Sequence, residues 1–464
     1  MSGGEKVLLV GGGSREHAIG ERLVREGASL SFISSNLNPG LLALTKDSGG
    51  EYFKGSPTDP EQVLEAARKL KPDLIVIGPE EPQFRGVVDK LKGNGFTVFG
   101  ATSKAAEIEK SKVFARSLMK KYGIKGNLEF WYFESWSEAL EFLERAGNVA
   151  IKPARQAGGK GVKVISDMQA YLSEEKKRVK EIHAKRILEE VMAKYTDIQE
   201  KLLIEERVDG VEYTVQAFTD GEKVVPLPAV QDNPHLFEFD IGPETGGMGT
   251  VQGPGKLLPF ITEEEYNFAV EVLEQVVSAI AKETGEKYVG AISAQMMLTS
   301  KGPVVIEFYS RLGDPEAVNV MNVTDGNVLE AMFSAAQGNL KANLSAREVA
   351  SVVKCVAPMG YPERRDLAKD KEVIVGECKG SKIYYGAVDV KDGKLITTGS
   401  RAVEVYAEAE EITKAAEIAN QCAAGVKFLN WKSVWRPDIG NEWYLKKRTE
   451  VAQLMREVYG LRNA

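Results

Sequence analysis

Residues 7–18 read VLLVGGGSREHA. An apolar strand runs into three glycines, and a polar turn then opens a helix. A dinucleotide site here needs three glycines with fixed roles and an acid about twenty residues on for the ribose. Gly11 and Gly13 fit the first two positions. The third is Glu16, whose side chain denies the close approach of helix and strand that a glycine allows. The following strand ends Ser34-Ser35-Asn36, without an acid to hold a 2′-hydroxyl. The turn is therefore not built for NAD. Arg15 and His17 stand where a phosphate would lie, so it reads as a phosphate cradle at a helix N-terminus.

Working outward, strand-like runs at 7–10, 29–35, 73–78 and 96–100 alternate with helical segments such as AIGERLVREG and PEQVLEAARKL. That rhythm predicts an open parallel sheet. One helix is expected over 103–123. A second unit follows, with a strand at 127–133, a helix at 135–147, a strand at 148–154 and a Gly-rich turn. Residues 167–201 are charged and helical in pattern, which suits a solvated face. LLIEERV, EYTVQAF and VVPLPAV read as antiparallel strands with a turn at TDGE. Helix 262–284 and strands at 291–298 and 303–308 come next, and from about residue 345 short strands precede a helix at 411–426.

Composition bounds the function. The chain has 464 residues, 43% hydrophobic and 27% charged, enough for several domains of a globular protein. A formal net charge of −7 argues against a nucleic-acid surface. No apolar run is long enough to span a bilayer, and MSGGEK lacks the apolar stretch of a secretory leader. Cys355, Cys378 and Cys422 are widely spaced, so neither a disulfide framework nor a zinc cluster is expected. A reducing cytoplasm is the expected setting.

Three further stretches carry chemistry. In IKPARQAGGKGVK (151–163), Lys152 closes a strand and Lys160 sits among Gly158, Gly159 and Gly161. A Gly-rich loop bearing a lysine can fold over a triphosphate, although the P-loop spacing is missing. In LLIEERVDGVEY (202–213), Glu205 suits an adenine amino group and Glu212 the ribose hydroxyls. In VVIEFYSRLGDPEA (304–317), Glu307 ends a strand as a Mg²⁺-ligand candidate, and Arg311 could neutralise a transferring phosphoryl group or bind an anionic substrate. Gln295 on the preceding strand is a second oxygen candidate if the register allows. The stretch DIGPETGGMGTVQGPG (240–255), with six glycines, reads as a backbone-lined loop beside a small substrate rather than as core.

Taken in order, GGGSREHA, NPG (38–40), GPEEP (78–82), SKAAEIEKSK (103–112), IKPARQAGGKGV, IEERVDGVE, QDNPHLFEFDIGPETGGMG (231–249), EFYSRLGDPE and RPDIG (436–440) resemble the phosphoribosylamine–glycine ligases of the ATP-grasp superfamily. The resemblance covers roughly residues 6–445. It implies an α/β multidomain fold: a Rossmann-like substrate domain (1–104), an ATP-grasp domain (105–337, with a mobile lid at about 128–203) and a β-rich α+β C-terminal domain (338–464). It implies that ATP, glycine and 5-phosphoribosylamine give glycinamide ribonucleotide, ADP and phosphate in purine synthesis. The expected intermediate is a glycyl phosphate, with Mg²⁺ or Mn²⁺ as the metal. No side-chain nucleophile is then needed. Small molecules are the expected partners, with no nucleic acid and no membrane, and a monomer is the default state.

The resemblance carries over residue by residue. Lys112, Lys152 and Lys160 match the nucleotide-contacting lysines, with Lys160 also catalytic beside Arg311. Glu205, the backbone of Val208, and Glu212 match adenine and ribose contacts. Glu307 and Gln295 are the metal positions. The substrate positions are Gly13, Arg15, Glu16, His17, Gly78, Pro79, Glu80, Gly247, Met248, Arg311, Asp314 and Pro315. The sequence departs from the family pattern at several places. Tyr309 replaces an Asn, Asn233-Pro234 replace His-Lys after Gln231-Asp232, and Glu244 replaces an Asn. Ala154-Arg155 replace Asp-Gly. From sequence alone, a related carboxylate–amine ligase or a silent nucleotide-binding protein stays open.

Overall fold

The structure is a computed structural model that describes residues 4–133, 136–145, 149–153, 163–165 and 202–463. The opening strand, Lys6–Val10, lies inside a five-stranded sheet with the order 52–54, 29–34, 6–10, 74–77, 98–99. Every pairing in it is parallel. Leu8 and Val10 face one apolar cluster and Val7 and Leu9 another, so the strand is covered on both sides, as parallel sheets require. The strand order reverses beside Lys6–Val10. Its carboxyl end therefore opens onto the crevice where such sheets bind ligands.

The single helix expected over 103–123 is two: Glu107–Lys110 and Lys112–Lys121. Ser111 between them is extended, and its hydroxyl accepts from Phe114 N to cap the second helix. The break makes Lys112 the first residue of a helix.

Two four-stranded sheets flank the central cleft. One has the order 130–133, 202–206, 149–153, 163–165. The other has the order 224–226, 210–219, 290–299, 302–309. The three strands expected as one antiparallel run are thus divided. Leu202–Glu206 joins the first sheet, and Gly210–Thr219 pairs with Val224–Pro226 in the second. The split turns Glu205 and Glu212 toward one cleft from different sheets.

The glycine-rich stretch corrects its reading as a loop that could not be core. Gly249–Gln252 is a fully buried strand, hydrogen-bonded between Gln231–Asp232 and Ala350–Pro358. Gly249 permits this because a Cβ there would sit 2.5 Å from Val353 O. A segment read with the middle of the chain is therefore welded into the C-terminal sheet, beside Val403–Ala409 and Ser381–Tyr385.

The expectation of no disulfide is also corrected. Cys378 and Cys422 are bonded, with Cα atoms 4.7 Å apart. Helix Ile412–Gly425 packs on the sheet next to strand Ser381–Tyr385, which brings together cysteines 44 residues apart. Cys355 is the buried free thiol expected of a small core residue. A last helix, Glu442–Asn463, was not anticipated. It runs back over strands 210–219, 290–299 and 302–309. No helix among the described residues is long and apolar enough to cross a membrane.

Candidate active site

A cleft of about 410 Å³ lies between the two four-stranded sheets, with residues 232–246 on one flank and Arg311–Glu316 on another. Its first wall is a compensated charge cluster. The Lys152 ammonium lies 2.8 Å from Glu205 Oε2 and 3.9 Å from Glu307 Oε1. Lys112, placed by the helix start, is 3.3 Å from Glu307. Arg116, one turn along that helix, donates from Nε to Glu205 Oε1 at 2.6 Å and from both Nη atoms to the carbonyls of Val305 and Ile306. Burial works against ionising Glu205, but Arg116 and Lys152 outweigh it and hold the carboxyl down at about 2. Glu307 is likewise lowered against burial by Lys112 and Lys152. Both oxygens of Glu205 thus serve cations. The carboxylate expected to accept from adenine instead positions Lys152, and Arg116 is a functional residue that the motifs missed. Its signal was its place four residues after Lys112 on one helix face.

Across the cleft, Gln295 pairs directly opposite Glu307, which is the register its candidacy required. Its Nε2 donates to Glu212 Oε2 at 2.6 Å, and its Oε1 accepts from the Tyr309 hydroxyl. Burial raises the carboxyl of Glu212, and the neighbouring charge of Glu307 adds to this despite the Gln295 bond. The Gln295 carbonyl oxygen and the Glu307 carboxylate, on paired strand positions, are the kind of oxygen donors a hard divalent cation takes. Tyr309 shares the cleft face with Glu307, and burial keeps its phenol neutral.

The turn after Tyr309 carries Arg311. Its guanidinium stacks 4.3 Å over the Tyr309 ring and pairs with Glu80 at 3.2 Å and Glu109 at 3.4 Å. Burial opposes its charge, but Glu109 and Glu80 hold it above its ordinary value. Ser310, Gly313 and the Arg311 carbonyl are tied to Glu109, Gln216 and Ser293, so the turn is rigid. Beyond it, Arg401 of the C-terminal unit pairs with Asp314 at 3.2 Å and donates to the carbonyls of Gly246, Gly247 and Asp314. Arg401 and Arg15 keep Asp314 low against burial.

Asp232 is different. Its Oδ1 is buried without a hydrogen-bond partner, and a Cβ on Gly247 (φ +113°) would lie 2.5 Å from it. Burial, aided by Glu316, pushes its carboxyl well up, and Glu316 is raised in turn. Arg401 opposes this at Asp232, and Arg311 and Arg401 oppose it at Glu316, but neither acid forms an ion pair among the described residues, as Glu205 does.

A second pocket, of about 320 Å³, opens at the N-terminal turn. Gly11–Glu16, Ser34–Asn36 and Pro79 line it from one side, and Gly386, Thr398, Ser400 and Arg401 from the other. Asp314 borders both cavities. Glu16 is occupied with the helix start: its Oε2 accepts from Gly13 N at 2.8 Å and its Oε1 from Arg15 Nε at 2.8 Å. Gly78 is glycine because a Cβ there would lie 2.1 Å from Glu16 Oε1. His17 turns away from the pocket. Its Nδ1 accepts from Tyr385 N and its ring meets Tyr384 and Tyr385, while burial lowers it to about 4 and keeps it neutral. It joins the first and last units and does not face a phosphate.

Three stretches of the chain match one family. Residues 5–109 match phosphoribosylglycinamide synthetase, N domain; 110–317 match its ATP-grasp (A) domain; 351–442 match its C domain. The chain belongs to the phosphoribosylglycinamide synthetase family. It is 44% identical to the phosphoribosylamine–glycine ligase of Methanopyrus kandleri, covering 96% of this chain and 97% of that one. It is 42% identical to that of Pyrococcus horikoshii, covering 96% and 97%. The crystal structure of the Thermotoga maritima phosphoribosylamine–glycine ligase superposes with a TM-score of 0.74 at 28% identity, covering 93% and 99%. A biotin carboxylase of Campylobacter jejuni superposes at 0.71 with 14% identity, over 97% and 98%, and shares the fold.

Within this synthetase-family frame, Lys112, Lys152, Glu205, Val208, Glu212, Gln295, Glu307, Arg311 and Asp314 converge on the cleft. Gly13, Arg15, Glu16 and Pro79 converge on the second pocket. Met248 corrects its assignment as a substrate contact: it is fully buried, and its backbone ties Asn233 to Cys355. Gly247 and Pro315 pack together behind Asp232. The departures Tyr309, Pro234 and Glu244 all line the cleft, as does His235. Lys160, Gly158, Gly159, Gly161, Ala154 and Arg155, the helical pattern at 167–201 and most of the expected lid lie outside the described residues.

Proposed function

We propose that these two joined cavities carry out the ATP-dependent ligation of glycine to 5-phosphoribosylamine in purine synthesis. One observation carries the reading. A cation-rich wall built for phosphates and an acid-rich corner built for an ammonium share one cleft, and Asp314 links that cleft to a pocket at a helix N-terminus. Units 1–104, 105–337 and 338–464 are the proposed domains.

ATP lies along Lys112 and Lys152, with the Val208 backbone and Glu212 toward the nucleoside. Lys160 joins them on sequence grounds. Glycine places its ammonium at Asp232 and Glu316, and Arg311 faces its carboxylate and the γ-phosphoryl group. A carboxylate oxygen attacks the γ-phosphorus and ADP leaves, giving glycyl phosphate. The amine of phosphoribosylamine then attacks the acyl carbon, loses a proton and expels phosphate. The ribose phosphate occupies the pocket of Gly13, Arg15 and Arg401. Positioning and charge neutralisation supply the catalysis. Glu307 and Gln295 would hold Mg²⁺ (or Mn²⁺), which supplies charge neutralisation on the phosphates when bound. The protein is proposed to work as a cytoplasmic monomer on small molecules.

The test is mass-spectrometric detection of glycinamide ribonucleotide from the three substrates, with parallel reactions containing alanine or no amino acid. Turnover with alanine equal to that with glycine, or ADP release without the ligated product, would overturn the assignment.

A further inference from the structure

The C-terminal helix begins where the match to the family's C domain ends, at residue 442. It nevertheless reaches the substrate flank. The Tyr444 hydroxyl lies against Gln231 Oε1 and 2.9 Å from Asn233 Oδ1. Arg448, stacked 3.8 Å over the Tyr444 ring, donates to the same two oxygens at 3.2 Å and 3.3 Å. One phenolic proton cannot satisfy two carbonyl oxygens, so the guanidinium completes the set. Both amides are thereby oriented. Gln231 Nε2 faces Glu212 O at 2.7 Å, and Asn233 Nδ2 faces Gly249 O at 3.0 Å. Asp232, with its unpartnered Oδ1, stands between these two residues.

Arg448 is itself anchored. Its Nη2 pairs at 2.6 Å with Asp240, which also pairs with Arg436 at 2.8 Å. Asp240 (φ 58°) and Phe239 (φ 62°) form a left-handed step in the hairpin between His235 and Glu244, held by these ion pairs together with the bond from Phe239 N to Asp438 at 3.1 Å. Farther along the helix, Arg456 grips Glu265 and Phe260 O, and Tyr459 covers Gly302. The helix is thus fixed to the ATP-grasp sheet at one end and to the Asp232 segment at the other.

We propose that Arg448 is a positioning residue for glycine. With Tyr444 it locks the amides of Gln231 and Asn233 and so sets where Asp232 presents its carboxyl. The proposal rests on the assignment of the glycine ammonium to Asp232.

The experiment is steady-state kinetics of the full-length enzyme for all three substrates, with Arg448→Ala, Arg448→Lys, Asp240→Asn and Asp232→Asn. Arg448→Ala raises the KM for glycine about tenfold while leaving the KM for ATP unchanged, as the loss of a charged hydrogen-bond donor predicts. Arg448→Lys recovers part of the loss, because it restores the Asp240 pair but not both amide contacts. Asp240→Asn shows the same selective rise, smaller. An unchanged glycine KM in Arg448→Ala overturns the proposal, and so does an equal rise for glycine and ATP. If Arg448→Ala does not fold, the glycine KM of Asp240→Asn decides by the same criterion. An unchanged glycine KM in Asp232→Asn overturns the ammonium assignment, and with it the route by which Arg448 acts. A raised value there with an unchanged one in Arg448→Ala overturns the positioning role alone.

Discussion

The cleft holds two groups of buried carboxylates treated in opposite ways. Glu205 and Glu307 sit among Lys112, Lys152 and Arg116, and both are held ionised. Asp232 and Glu316 repel each other, feel Arg401 and Arg311 only outside ion-pair distance, and both are pushed up. The first group is an internal counter-ion set that keeps lysines fixed along the wall proposed for the triphosphate. The second leaves its charge without an ion-pair partner in the protein, and in the proposed reaction the amino acid's ammonium supplies one. The same side-chain chemistry serves scaffold in one place and recognition in the other, and the neighbours decide which.

The comparison can be broken most severely at Arg311, which compensates Glu80 and Glu109 and lines the cleft. Arg311→Ala leaves buried acids unpaired, so denaturant titration is expected to show a stability loss of about 3–5 kcal/mol. Turnover should fall by at least about a hundredfold, the effect of a lost charge-stabilising donor.

Matched amide substitutions sharpen it. Glu205→Gln should destabilise the protein by about 3 kcal/mol at pH 7, because the native carboxyl titrates far below its unfolded value. Asp232→Asn should leave the ligand-free protein equally or more stable, while glycine binding weakens. A comparable stability loss in both variants would erase the distinction drawn here.

The pH dependence of stability separates the two groups further. Glu205, depressed in the folded state to about 2, contributes stability that is full above about pH 4.5 and is lost as pH falls toward 2. Asp232, raised in the folded state, acts with the opposite sign: its contribution is full below about pH 4 and is lost as pH rises. In urea titrations of the ligand-free protein, Asp232→Asn should remove an alkaline-side loss and Glu205→Gln an acid-side loss. The smallest effect is expected at Tyr309, whose hydroxyl only orients Gln295. Tyr309→Phe should lower Mg²⁺-dependent turnover about threefold, in line with one hydrogen bond, whereas Glu307→Gln should remove most of it.

Much of this was legible in the chain. The parallel N-terminal unit follows from apolar runs at a period set by βαβ packing. The expectation against a dinucleotide site rests on Glu16, where a glycine is needed, and on the missing acid after the second strand. Lys152, Glu307 and Arg311 could be singled out because their local motifs place charge at strand ends and turns, and Lys112 through the family resemblance; the structure brings all four to one cleft. Even the Gln295 candidacy could be stated, as a condition on register.

The sequence could not decide matters that depend on partners distant in the chain. Glu205 looks like a ligand contact until Arg116 is found 89 residues away, taking one of its oxygens. His17 looks like a phosphate contact until Tyr385, 368 residues on, donates to it. Gly249–Gln252 looks like a loop because glycines signal turns, yet a neighbouring strand leaves room only for glycine at its start. The charge state of a buried acid and the sheet a strand joins are set by what tertiary packing brings within a few ångströms. Local pattern determined which elements form and which charged groups stand at their ends. Only the assembled fold decided which of those groups are already paired with the protein and which remain for a substrate.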